Sequence, residues 1–280
     1  MATDKRIVKV ARKIYADFVK QAHGAVRAWS PEEKRLWMAI AGRAANLFAS
    51  EQHASAGESL RNGSVQTGET PGSTAASGLD MPTIAAQNAL SDYGRSVGWL
   101  RSRLEFSAID SEGNPTPWYT YPAIAFLSRA VTPPLRVFEF GTGNSTLWWA
   151  ARVRSVTSVE HDKVWAQKVE PRLPPNVNYR WIALKQDGDY CRSAQSSGSA
   201  YDIIVIDGKD RWRCTTNSIG CLAAGGVIVW DNADVVKYQP LFEDLCSQGF
   251  KRLPFVGHGP IRARSWETSI FYRSDNCLGI

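Results

Sequence analysis

Between residues 135 and 151 the apolar run Leu135-Arg136-Val137-Phe138-Glu139-Phe140 meets Gly141-Thr142-Gly143 and passes into Asn144-Ser145-Thr146-Leu147-Trp148-Trp149-Ala150-Ala151. A short apolar run bounded by glycines reads as a buried strand, and Ser145 to Ala151 as a helix. Glycines at such a turn let the backbone bend sharply and come close to another chain segment or a ligand, while the helix start offers unpaired N–H groups. Buried strand, tight glycine turn and helix together are the opening unit of a parallel α/β sheet.

The same alternation continues downstream. Strand candidates follow at 156–160, 179–184, 203–206 and 227–230, with helical patterns between them, as expected of buried parallel strands. Two further candidates, 250–256 and 268–272, are joined by a Gly/Pro-rich loop in place of a clear helix, which predicts an antiparallel hairpin at the C-terminus. Helices are expected near 84–104 and 120–131, separated by Asp110-Ser111-Glu112-Gly113-Asn114-Pro115. The fold class is therefore α/β, with a Rossmann-like, mostly parallel sheet, helices on both faces and extra N-terminal helices.

Residues 1–50 hold ten Lys/Arg against four Asp/Glu, so they carry the whole net charge of +6, and the rest of the chain has 23 of each sign. Basic residues fall mostly off the apolar face of a helical pattern over 4–22, and Ser30-Pro31 begins a second helix. Such a segment packs on the core or on a second copy of the chain, or makes a weak contact with a protein or an anionic membrane surface. Residues 51–82 are rich in Gly, Ser, Thr, Ala and Gln without aromatics and read as a flexible linker. The domain proper is expected over 83–280. Its balanced charge gives no support to a nucleic-acid substrate. Five cysteines without CxxC spacing, and a start at Met1 without an apolar leader, lead to the expectation of a cytoplasmic protein.

Glu160 stands 21 residues after Glu139, at the end of the second strand candidate. A carboxylate there can accept both ribose hydroxyl protons of a nucleoside; alternatively it caps the next helix with His161 and Asp162. The third glycine of a G-x-G-x-x-G dinucleotide loop is replaced by Thr146, and Glu139 lies two positions before the first glycine.

On these residues the segment from about Gly98 to Tyr272 resembles the class I S-adenosylmethionine (SAM)-dependent methyltransferases. It is most similar to bacterial members of undefined substrate that carry a Phe-Glu-x-Gly-x-Gly-x-Ser-Thr loop, a Ser-Val-Glu-His-Asp second strand, Ile206-Asp207-Gly208 with Arg211, and a Trp230-Asp231-Asn232 strand end. The resemblance implies SAM as cofactor, with Glu139 ordering the loop. It places Gly141, Thr142, Gly143 and Ser145 around the methionine moiety, Glu160 on the ribose and His161 beside the adenine. Asp187 would read the adenine amino group, unless it is only a turn residue. Asp207, at the fourth strand end, would contact cofactor or acceptor.

Asp207, Asp231 and Asn232 also form an all-oxygen set suited to Mg²⁺. A similar trio in catechol-type O-methyltransferases implies a metal-held acceptor with Lys209 as base; the other reading is metal-free, with Asp231-Asn232 closing a turn. His258 is a second candidate base or a loop hydrogen-bonder, and Trp118, Tyr119 and Tyr121 are candidate walls of an acceptor pocket. The expected activity is methyl transfer to oxygen on a small polar or sugar-like molecule. An NAD(P)-dependent oxidoreductase and a non-catalytic SAM-binding module are the alternatives.

Overall fold

The computed structural model describes residues 81–280; the basic segment 1–50 and nearly all of the linker 51–82 lie outside the described residues. Elements are numbered from residue 81. Helices α1 (Met81–Ser96), α2 (Trp99–Glu105) and α3 (Tyr121–Ala130) precede β1 (Arg136–Phe140), α4 (Asn144–Ala150), β2 (Ser155–Glu160), α5 (Lys163–Val169) and β3 (Val177–Trp181). Then come α6 (Asp189–Arg192), β4 (Tyr201–Ile206), α7 (Arg211–Ser218), β5 (Leu222–Asp231), α8 (Gln239–Ser247), β6 (Lys251–Gly257) and β7 (Trp266–Tyr272).

The strands form one seven-stranded sheet in the order β3-β2-β1-β4-β5-β7-β6. β1 to β5 are parallel, β7 runs antiparallel to β5, and β6 antiparallel to β7. The chain winds outward from β1 to β3 and returns to place β4 on the other side of β1. The strand order therefore reverses between β1 and β4, where crossovers leave in opposite directions and open a crevice above the C-terminal strand ends. This is a Rossmann-like, mostly parallel sheet, closed by the expected antiparallel hairpin.

Alternation along the strands builds two cores. Phe138, Phe140, Ile204, Ile206, Ile228 and Trp230 meet Tyr190 of α6 and Leu241, Phe242 and Leu245 of α8 on one face. Val137, Val156, Ile203, Val205 and Val229 meet Leu127 of α3 and Trp148 and Trp149 of α4 on the other. The two tryptophans are core residues, as their place in an amphipathic helix implies, and pack edge to face at 4.9 Å. Among the described residues no helix is long and apolar enough to cross a membrane.

Besides shifts of one or two residues at strand starts such as Tyr201 and Trp266, three boundaries differ from the sequence expectations. The helix expected over 84–104 is two helices, because Gly98 takes a left-handed φ of +78° that ends α1 and starts α2. β3 begins and ends earlier than 179–184, because an edge strand buried on neither face lacks a continuous apolar signature. β5 reaches back to Leu222, beyond Gly225-Gly226, where its pairing with β4 shifts register.

Candidate functional site

The end of β1 is held by a chain of hydrogen bonds. Glu139 lies on the α3/α4 face of the sheet and is fully buried. Its Oε2 accepts from the Thr146 hydroxyl, and Thr146 Oγ1 accepts the Gly143 N–H at 3.0 Å. Thr146 thus occupies the place of a third glycine because its hydroxyl bridges strand end to loop. Ser158 on β2 adds a contact to Thr142 Oγ1 at 2.6 Å. Burial pushes the Glu139 carboxyl up to about 7, against the hydroxyls of Ser145, Thr146 and Ser158. Its Oε1 is buried with no hydrogen-bond partner among the described residues.

Glu160 ends β2 and completes the loop from the other side. Its Oε2 accepts the Thr142 N–H at 3.1 Å, and its Oε1 accepts the amides of His161 and Asp162 at 2.7 and 2.8 Å. Burial would raise this carboxyl, but His161 and the three amides together hold it below its ordinary value. The carboxylate can bind one further donor at Oε2. Glu160 therefore does cap the turn into α5, with one acceptor position of Oε2 not used by the loop. His161 is partly exposed beside it, its Nδ1 2.8 Å from Glu160 Oε1 and its ring 5.6 Å from that of Tyr190.

The loop amides are consequently committed inward: Gly141 N–H to the Val159 carbonyl at 2.9 Å, Thr142 N–H to Glu160, and Gly143 N–H to Thr146. Trp165, on the first turn of α5, closes over the loop and donates its indole N–H to the Thr142 carbonyl at 2.6 Å. Gly141 (φ +94°) is needed for close approach: a Cβ there would lie 3.3 Å from Gly208 Cα, across the switch point. Gly208 is tighter still, since a Cβ would sit 2.0 Å from the Tyr190 hydroxyl.

Above β4 and β5 the geometry corrects the metal expectation. The guanidinium of Arg211, the first residue of α7, pairs with Asp207 Oδ1 at 3.0 Å and donates to the carbonyls of Asp207, Gly208 and Asp231. Asp231 is buried, and its Oδ1 accepts from the Thr268 hydroxyl at 2.7 Å and the Trp266 indole at 2.9 Å. A guanidinium thus fills the gap between the two strand ends, and the second carboxylate is spent on β7. The set Asp207/Asp231/Asn232 does not fit Mg²⁺, which needs several oxygen ligands free to converge on one point. Burial and mutual repulsion raise the Asp207 carboxyl well above its ordinary value, and burial raises Asp231 to about 6.

The remaining sequence candidates separate. Asp187 is an exposed turn residue at φ +51°, paired with Arg192 at 2.8 Å; that ion pair directs its carboxylate to α6, against the adenine-reading role. Ser145 is buried near Glu139, beneath the loop. Lys209 is exposed on the β4–α7 loop, and its side chain makes no hydrogen bond or ion pair among the described residues. His258 is exposed in the loop after β6, on the same sheet edge, and contributes its carbonyl to the Tyr121 N–H at 2.7 Å. Tyr119 and Tyr121 are buried, and Trp118 is exposed with the Arg262 guanidinium over its ring.

Sequence reading missed the structural parts of Ser158, Trp165, Trp266 and Thr268, and the bridging role of Arg211. A signal existed only for Thr146, whose spacing from Gly143 is that of a hydroxyl capping a helix start.

No family model and no curated protein matches the chain. Similar solved structures include a candidate caffeoyl-CoA O-methyltransferase from Staphylococcus aureus, 17% identical over 68% of this chain and 100% of that one, TM-score 0.46. Precorrin 8w decarboxylase from Methanobacterium thermoautotrophicum is 17% identical over 61% and 97%, TM-score 0.43. A methyltransferase-like protein from Silicibacter pomeroyi is 20% identical over 56% and 89%, TM-score 0.41.

Proposed function

We propose that the chain is a SAM-dependent methyltransferase. The observation that carries this reading is the commitment of the Gly141, Thr142 and Gly143 amides to the protein itself, beneath buried carboxylates. A diphosphate needs such amides free to donate, and it would meet the acidic groups Glu139, Glu160, Asp207 and Asp231 at the strand ends. A dinucleotide is therefore a poor match. A nucleoside carrying ammonium and sulfonium charges is complementary to the same edge, and Glu160 Oε2 keeps acceptor capacity there.

When bound, SAM supplies an activated methyl group. The residues that would hold it are the Gly141–Gly143 backbone, Glu160 at the ribose and His161 at the base. The chain's contribution to the reaction is positional: the bridged loop fixes the donor side, and Arg211 holds the ends of β4 and β5 rigid beside it. With Arg211 standing where a metal would have to be, the basis for preferring an oxygen acceptor falls away, and Lys209 and His258 have no oriented partner that would make either a base.

Calorimetric titration of the full chain with S-adenosylhomocysteine (SAH) and with NADH tests the proposal. Saturable binding of SAH with no binding of NADH is expected. Binding of NADH alone would overturn it.

A further inference from the structure

A cleft of about 480 Å³ opens between the β4–α7 loop with the first residues of α7, from Gly208 to Trp212, and the β5–α8 connection, from Asn232 to Tyr238. Both loops follow C-terminal strand ends, and Gly208, on the cleft wall, is the residue that touches the Gly141 turn. The cleft therefore begins where the nucleoside edge ends.

Its lining is predominantly cationic. Lys209 and Lys237 both line it, both are exposed, and neither has a carboxylate partner among the described residues. The Lys237 ammonium lies 4.9 Å above the Tyr238 ring, held at the lip. The one acid on the wall, Asp210, is neutralised by Arg213 at 3.0 Å. Arg211 is consumed by Asp207 and the strand carbonyls. The Asn232 side-chain amide and the Trp212 indole N–H are further donors without a partner among the described residues, and Trp212 is 40% exposed. Asp210 and Asn232 hold left-handed backbones, φ +49° and +56°, on the two facing loops. Non-glycine residues in that region are uncommon and gather at ligand sites. Two ammonium groups without a carboxylate partner, two neutral donors and the part-exposed Trp212 ring line one space, while the partnerless Asp210 Oδ2 is buried away from it.

We propose that this cleft binds the methyl acceptor and that the acceptor is a small planar molecule bearing an anionic oxygen group, a carboxylate or a phosphate. Placement as the acceptor site rests on the methyltransferase reading above; the anion specificity of the cleft does not. The lysines supply the charge that lets an anion approach strand ends already occupied by carboxylates, and the exposed Trp212 ring supplies flat surface for its body.

Calorimetry on the full chain with benzoate, phenyl phosphate and neutral benzyl alcohol, with and without SAH, tests the inference. Benzoate or phenyl phosphate is expected to bind more tightly than benzyl alcohol, and the stronger of the two identifies the anionic group. The double variant Lys209→Ala/Lys237→Ala is expected to lose about tenfold in anion affinity, with SAH affinity unchanged. Lys209→Arg/Lys237→Arg should restore it. Equal binding of the neutral analogue, or anion affinity unaffected by the double alanine variant, would overturn the inference even if SAH binds. Anion binding that depends on the lysines without any SAH binding would uphold the cleft and reject the methyltransferase reading.

Discussion

Thr146 and Glu139 decide the loop at the level of single residues. Replacing Thr146 by Val leaves the Gly143 N–H and Glu139 Oε2 short of a partner in a buried place, where each loss costs about 1–3 kcal/mol. Denaturant unfolding of Thr146→Val should show a loss of about 2–4 kcal/mol, and Thr146→Ser should recover most of it. Glu139 gives a pH signature. Its carboxyl titrates at about 7 in the folded chain against 4.5 when free. The folded state therefore binds the extra proton, and stability is full below the free value and falls as pH rises through about 7. Glu139→Gln should flatten the unfolding midpoint between mildly acidic and neutral pH; an unchanged slope would contradict this assignment. Glu160 acts with the opposite sign. Its lowered carboxyl adds stability above its unfolded value that is lost in acid.

At the level of elements, the crossovers from β1 and β4 pass so closely that side chains are excluded. Gly208→Ala drives a Cβ into the Tyr190 hydroxyl, on a buried ring that cannot swing aside. The expected cost is about 2–4 kcal/mol by denaturant unfolding, and Tyr190→Phe in the same chain should return a substantial part. Equal stability of the single and double variants would show that the contact is not limiting. Element legibility follows burial. β1, β2 and β4 announce themselves in sequence because both faces are covered, as Val137 and Phe138 are. β3 does not, because its pattern is that of an exposed edge. β5 reads only from Val227 onward, where Gly225-Gly226 stop interrupting it. At the site, glycines and strand-end acids are legible by spacing, whereas the partners that spend Asp231, Trp266 and Thr268, arrive from a strand 35 and 37 residues away. Local pattern carries no trace of that pairing, which is why Asp231 reads as a free metal ligand.

For the whole molecule, charge placement separates the readings. Under the proposed function, carboxylates at four strand ends, three of them buried, with inward-turned loop amides and Arg211 on the Asp207 carboxylate, would meet a cationic nucleoside without a divalent metal. Adding Mg²⁺ or a chelator should therefore leave both the thermal midpoint and SAH affinity unchanged; a Mg²⁺-dependent rise in either would contradict the placement of Arg211. The central claim, that the cofactor sits over the β1, β2 and β4 ends, is tested most directly by hydrogen–deuterium exchange of the full chain with and without SAM. Added protection is expected in the segments 140–146, 160–165 and 206–210. Protection confined to other segments while SAM binds would contradict it.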